Sequence, residues 1–270
     1  MDHFSGQVAV ITGGGSGIGR GMALAFAREG MKIAVLDVDL AAAARVVEEL
    51  EVLGAPALAL ACDVSIRADV RAAADKVFAH FGAVHVLCNN AGVTMFRSVA
   101  EMSDDDWDWM LGVNFLGIIH GYQAFVPRMV AQKEGGHVIN TSSAAGVVPD
   151  VVTNHSAYAA SKAAAVALAV NLRLELADQG IGVSALCPGL VRTGILEAGR
   201  ARPDRFGGPD GDSLVVPGMA DPMRDALDPE TVGRIVVAGI RHNRKFIFTH
   251  PGMGQAITPY YETMLADAET

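Results

Sequence analysis

Val8-Ala9-Val10-Ile11-Thr12-Gly13-Gly14-Gly15-Ser16-Gly17-Ile18-Gly19 is a short apolar run that stops at a cluster of glycines. Consecutive apolar residues without alternation fit a parallel strand buried on both faces. A helical pattern follows over residues 22–29. Strand, glycine turn and helix in that order form a phosphate cradle, because backbone N–H groups and the positive end of the helix dipole face the anion. Two better-known phosphate motifs do not match. No register satisfies G-x-G-x-x-G, and the window from Gly14 to Arg20 lacks the Lys-Ser/Thr pair of a P-loop. The spacing is instead G-x-x-x-G-x-G through Gly13, Gly17 and Gly19.

Downstream, strand and helix patterns alternate. The run Lys32-Ile33-Ala34-Val35-Leu36 ends at Asp37, eighteen positions beyond Gly19. That is close to the roughly 20 expected for the acid that holds an adenosine ribose. A carboxylate there accepts bonds from the ribose hydroxyls and repels a 2′-phosphate, so NAD is favoured over NADP. Asp39 reads better as a solvated strand-end charge. A helix over residues 40–53 precedes the run 57–62 and Asp63-Val64; another helix over 68–81 precedes the strand 84–88 and Asn89-Asn90-Ala91-Gly92-Val93. Ser103 and the acids after it open a long helix as N-cap and first turn. Within that helix Asn114 sits in an apolar run, where an amide is costly unless bonded. The alternation predicts one doubly wound α/β domain over residues 1–270, with a mostly parallel sheet.

Proton chemistry is suggested further along. Residues 136–143 read as a strand ending in two hydroxyls, Ser142 and Ser143. Tyr158 and Lys162, four residues apart, share one helix face. An ammonium beside a phenol favours the phenolate, so the Tyr158 pKa is expected below its ordinary value, making it a proton donor and acceptor near neutral pH. Another strand over 183–187 leads into Pro188-Gly189-Leu190-Val191-Arg192-Thr193. Residues 194–228 are rich in Gly, Pro, Asp and Arg, and a structureless stretch of that length in a compact domain reads as a substrate lid. A helix over 228–242 and a strand over 246–249 follow, and the tail beyond Pro251 has no determined structure at this level.

Composition excludes several classes. A hydrophobic content of 51% with 19% charged residues is globular, not disordered. A net charge of −9 disfavours a nucleic-acid partner, which requires a basic face. The three cysteines, Cys62, Cys88 and Cys187, lie in apolar runs without metal-ligand spacing. Buried thiols in a reducing compartment, and no metal site, are expected. No apolar run reaches membrane length and the N-terminus lacks a signal-peptide pattern, so a cytoplasmic protein without a membrane partner is expected.

These residues, in this order, resemble the short-chain dehydrogenases/reductases over about residues 6–248. The resemblance rests on Thr12–Gly19, Asp63, Asn89-Asn90-Ala91-Gly92, Asn114, Ser142-Ser143, Tyr158-x-x-x-Lys162 and Pro188-Gly189. It implies an NAD-dependent oxidoreductase that interconverts a small secondary alcohol and a ketone by hydride transfer. Gly13, Ser16, Gly17, Ile18 and Gly19 would hold the pyrophosphate side of the cofactor, Asp37 the ribose, and Asp63 and Val64 the adenine. Asn90, Ala91 and Gly92 would lie near the nicotinamide ribose, with Pro188, Gly189, Val191 and Thr193 around the carboxamide. Tyr158 would be the acid/base, Lys162 its neighbour on the ribose, Ser143 the holder of the substrate oxygen, and Asn114 the anchor of a water relay. Which of Ser142 and Ser143 faces the site stays open. The family pattern, with the Ala-rich helix after Tyr158, also implies two-fold pairing and a homotetramer. Two alternatives are an NADPH-dependent 3-oxoacyl reductase, which Asp37 opposes, and a non-catalytic dinucleotide sensor or scaffold, whose mark would be loss of a catalytic residue.

Overall fold

Apolar strands and amphipathic helices alternate along the chain in the computed structural model, which describes residues 3–150, 152–210 and 226–269. The strands are β1 (Val8–Thr12), β2 (Lys32–Asp37), β3 (Ala57–Ala61), β4 (Val86–Asn89), β5 (Gly136–Thr141), β6 (Ile181–Cys187) and β7 (Phe246–Phe248). Among the described residues they form one sheet in the order β3-β2-β1-β4-β5-β6-β7, and every pairing is parallel. The parallel sheet expected from the alternation of strands and helices is thus the one observed. The helices are α1 (Gly17–Arg28), α2 (Leu40–Val52), α3 (Arg67–Phe81), α4 (Asp104–Leu111), α5 (Gly117–Gln132), α6 (Ser156–Glu175), α7 (Pro229–Arg241) and α8 (Met253–Ala268).

Side-chain alternation along the strands divides the core into two layers. Ile11, Ile33, Val35 and Cys88 pack with Met22 and Phe26 of α1, Val46 of α2 and Val236 of α7. Val10, Ala34, Leu36 and Leu87 face the opposite way, onto Val77 of α3, Phe125 of α5 and Ala169 of α6. Helices thus cover both faces, which is why these strands are apolar throughout rather than alternating. The chain runs outward from β1 to β3 and then crosses back to β4 on the other side of β1. Such a reversal leaves a crevice beyond the carboxyl ends of β1 and β4.

Local chemistry explains most boundaries. Ser103 and Asp106 form a reciprocal capping box at the start of α4. Asp39 caps α2 by accepting the Ala42 N–H at 3.1 Å, so it is a structural cap rather than a free charge. Two elements differ from the sequence reading. The long helix after Ser103 is interrupted by a π-turn over Gly112–Leu116, which holds Asn114. The tail forms α8, none of whose described residues is fully buried.

Candidate active site

The carboxyl ends of the central strands open onto a cleft of about 800 Å³. Gly13, Ser16, Gly17, Ile18, Asp37, Asp63, Val64, Asn90, Ala91, Gly92, Ser143, Tyr158, Lys162, Pro188, Gly189, Val191 and Thr193 all line it. Gly19 and Asn114 stand behind its wall. A Cβ on Gly19 would overlap the Gly13 carbonyl oxygen, so glycine there lets α1 start against the turn. Gly13 adopts φ +60°, where a Cβ would also lie 2.8 Å from the Ala91 Cα. Ser16 makes no side-chain cap at the start of α1, so its hydroxyl does not occupy the first-turn amides. This cradle fits an anionic pyrophosphate.

Asp37 ends β2 beside the turn, its Oδ2 accepting the Gly15 N–H at 2.9 Å and its Oδ1 the Asp39 N–H at 3.0 Å. Burial raises its pKa, against these two bonds. Asp63 accepts from the Ser65 hydroxyl and from the Arg205 guanidinium, each at 2.6 Å. Burial works to raise its pKa, but the bonds to Ser65 and Arg205 outweigh it and leave the carboxyl below the usual range. Asn90 is fully committed: its side-chain amide donates to the Thr12 and Gly13 carbonyls at 3.0 and 3.2 Å and accepts from the Thr141 hydroxyl at 3.1 Å. It joins the ends of β1, β4 and β5, so it shapes the cleft instead of offering a free amide. Turn residues 188–189 are tied to the end of β7 by the Gly189 N–H donating to Thr249 Oγ1 at 3.2 Å.

The two serines separate cleanly. Ser142 is 2% exposed and donates inward to the Lys162 carbonyl at 2.7 Å. Ser143 is half-buried, accepts the Ala145 N–H at 3.2 Å, and lines the cleft with Tyr158, where its hydroxyl favours the ionised phenol. Ser143 is the hydroxyl that faces the cleft. Lys162 is 2% exposed; its ammonium donates to the Thr141 carbonyl at 3.0 Å and lies 5.6 Å from the Tyr158 ring centroid. Burial lowers its pKa to about 8. Gly92 makes room for it, since a Cβ there would stand 2.9 Å from the Lys162 Nζ and 3.3 Å from Asn114 Oδ1. Asn114, wholly buried, accepts from the Val93 N–H at 2.8 Å and donates to the Val93 carbonyl and Ser161 hydroxyl at 2.9 and 3.0 Å. It holds the wall on which Lys162 rests.

One expectation is overturned. Burial raises the Tyr158 pKa, with the Ser143 hydroxyl acting against that shift. The lysine ammonium, which donates to the Thr141 carbonyl and lies 5.6 Å from the ring centroid, does not reverse the shift. In this state the phenol is protonated at neutral pH.

Sequence reasoning missed Thr94 and Arg205, and did not foresee the stacking of rings on the tyrosine. The ring of His155, the residue before the helix of Tyr158, stacks on Tyr158 at 4.4 Å between centroids. Among the described residues, no group of three His, Cys, Asp or Glu side chains is placed to hold a metal. Among those residues also, no helix is long and apolar enough to cross a membrane.

Comparison with known proteins agrees with this geometry. Residues 7–204 match the family model described as short chain dehydrogenase. A C alpha-dehydrogenase of Sphingobium sp. strain SYK-6 is 35% identical over 268 residues, covering 98% of this chain and 87% of that protein. A short-chain dehydrogenase/reductase of Burkholderia phymatum, solved in complex with NAD, superposes with a TM-score of 0.92 at 37% identity, covering 99% of this chain and 97% of its own. A metagenomic short-chain oxidoreductase solved with NADP gives 0.71 at 29% identity, covering 91% and 95%. The chain belongs to the short-chain dehydrogenase/reductase family of oxidoreductases, with the family's Rossmann-type sheet.

Proposed function

We propose that the protein uses NAD to interconvert a secondary alcohol and a ketone. The observation that carries this reading is the placement of Ser143, Tyr158 and Lys162 together on the wall of a cleft whose other end is a phosphate cradle. The bound nicotinamide supplies a hydride acceptor in one direction and a hydride donor in the other. Ser143 holds the substrate oxygen. Tyr158 gives its proton to that oxygen in reduction and, once ionised to the phenolate, takes the alcohol proton in oxidation. Lys162 binds the neighbouring ribose and contributes the positive charge that a phenolate needs. The glycine turn holds the pyrophosphate, and Asp37 the adenosine ribose, which favours NAD.

Further details follow from the same cleft. Phe96, Trp109, Val148, Leu190 and Ile195 line its substrate end, favouring an apolar or aromatic alcohol. The resemblance of the chain to a protein named C alpha-dehydrogenase is in keeping with oxidation at an alcohol carbon. Residues 194–228 would cover the substrate. Their described part is tied down by Arg205 at Asp63 and Arg202 at Asp106; Leu214, Val215, Val216, Met219 and Met223 lie outside the described residues. A single catalytic domain, assembled as a cytoplasmic homotetramer, completes the reading. A panel of secondary alcohols and ketones, followed by NADH absorbance, tests it. Turnover that prefers NAD and disappears in Tyr158→Phe is expected; a Tyr158→Phe enzyme with full turnover sinks the mechanism.

A further inference from the structure

His155 precedes α6, three residues before Tyr158, and nothing above gives it a role. The residue is 8% exposed, and its ring lies nearly parallel between two others. Phe96 is on one side, 4.1 Å between centroids at 13°, and Tyr158 on the other, 4.4 Å at 9°. The ring cannot spin freely, because its Nε2 lies 2.8 Å from the Thr94 hydroxyl. Thr94 is 3% exposed and has no other side-chain bond among the described residues. Thr94 and Nε2 are each other's side-chain partner, whichever of the two carries the shared proton. Nδ1 is buried without a partner, so the polar edge of the ring serves Thr94 alone.

The backbone holds the same stack. Asn154 adopts φ +57°, a left-handed conformation that asparagine tolerates, and this turns the chain into α6. Its carbonyl accepts the Arg97 N–H at 2.8 Å. The loop that carries Thr94 and Phe96 is thereby joined to the loop that carries His155.

We propose that His155 is a positioning residue for Tyr158: held by Thr94 and backed by Phe96, its ring fixes the plane of the phenol, and so the place of its hydroxyl against Ser143, and keeps water from that face. The proposal rests on Tyr158 being the proton-transfer group. Lys162 of α6 and Ser143 after β5 also face the phenol, and the cluster around it is otherwise apolar, built from Met95, Trp109, Met110 and Ala198. Burial lowers the His155 pKa to about 4, so near neutral pH the ring is an uncharged slab and Lys162 is the charge beside the phenol.

Two variants of the full-length protein separate slab from charge. His155→Ala removes the slab; His155→Phe keeps it and gives up only the Thr94 bond. In His155→Ala, kcat is expected to fall about 10- to 100-fold, as for a misaligned reacting group, with KM within about threefold. The Tyr158 titration is expected to move down by about one pH unit as water reaches the ring. That titration is read by NMR on protein labelled at the tyrosine Cζ; the chain has 4 tyrosines, and Tyr158→Phe assigns the signal. His155→Phe is expected to restore most of both effects. The NMR arm needs no turnover, so it judges the stack even where no alcohol in the panel is oxidised, an outcome that would defeat the proposed activity instead. An unmoved titration with wild-type kcat in His155→Ala overturns the proposal. So does a His155→Phe protein as impaired as His155→Ala, because the imidazole edge would then matter and not the slab. Should His155→Ala fail to fold, Thr94→Val carries the test: lower kcat at unchanged KM supports the proposal, and unaltered kcat overturns it.

Discussion

Lys162 shows how one buried charge links chemistry to stability. Its pKa of about 8 means that the ammonium discharges in mildly basic solution. Affinity for NAD is therefore expected to weaken as pH rises through about 8, as measured by fluorescence titration; Lys162→Ala should show weak binding with no such pH step. Folding responds in the opposite direction. An unfolded lysine titrates near about 10.4, so the unfolded chain binds more protons between there and about 8. This residue's contribution to stability in the free protein is lowest below that window and increases as pH rises through it. The buried histidines act on the acid side. Burial lowers His155 to about 4 and His137 to about 3, so the unfolded chain takes up protons first as pH falls below about 6.5. Each is expected to cost about 2 kcal/mol of stability at about pH 5 relative to neutral pH. Urea midpoints measured across that range should fall accordingly, and less so in His155→Phe. Asp37→Ala is expected to narrow the preference for NAD over NADP mainly by weakening NAD; equal kcat/KM for both cofactors in the wild type would show that Asp37 does not face the ribose.

The segment after β6 shows what ties an element down when regular structure does not. Over the described residues 194–210, short helical turns at Gly194–Ala201 and Asp204–Phe206 stand where composition suggests a structureless stretch. Arg202 and Asp106, 6% and 1% exposed at their side chains, pair at 2.6 Å, and Arg97 reaches the same carboxylate at 2.7 Å. Asp106→Ala would leave a buried guanidinium without its anion and remove the capping box of α4. A loss of about 3–5 kcal/mol is expected on denaturant unfolding; a loss below about 1 kcal/mol would show that the segment is anchored elsewhere. Its composition did announce a long connection at the site, because Gly and Pro act locally. The arginine partners are some hundred residues away in sequence, so no local pattern could name them. The π-turn at Asn114 was likewise hidden: its apolar neighbours read equally well as continuous helix. Ser103, by contrast, was legible as a cap, since a capping box closes within four residues.

At the scale of the whole molecule, α6 presents Ala160, Ala167 and Leu174 to solvent in the single chain, and Leu116 is also exposed, Leu174 by 75% and Leu116 by 41%. Small and apolar residues on an exposed face suit close helix pairing. Light scattering at micromolar concentration is expected to give four times the 28.2 kDa chain mass; a clean monomer would defeat the proposed assembly. The sequence by itself determined the order of strands and helices up to β7, the glycine turn, the acid that ends β2, and the Tyr158–Lys162 spacing. Those features are set by steric limits, periodicity and neighbours a few residues away. Only the tertiary structure decided that Ser143 faces the cleft, that Asn90 is spent on strand ends, and that His155 lies against Tyr158. It also reversed the expected direction of the Tyr158 pKa. A pKa depends on the summed burial and charge from every packed element, and a four-residue spacing records one neighbour without the apolar cluster around it.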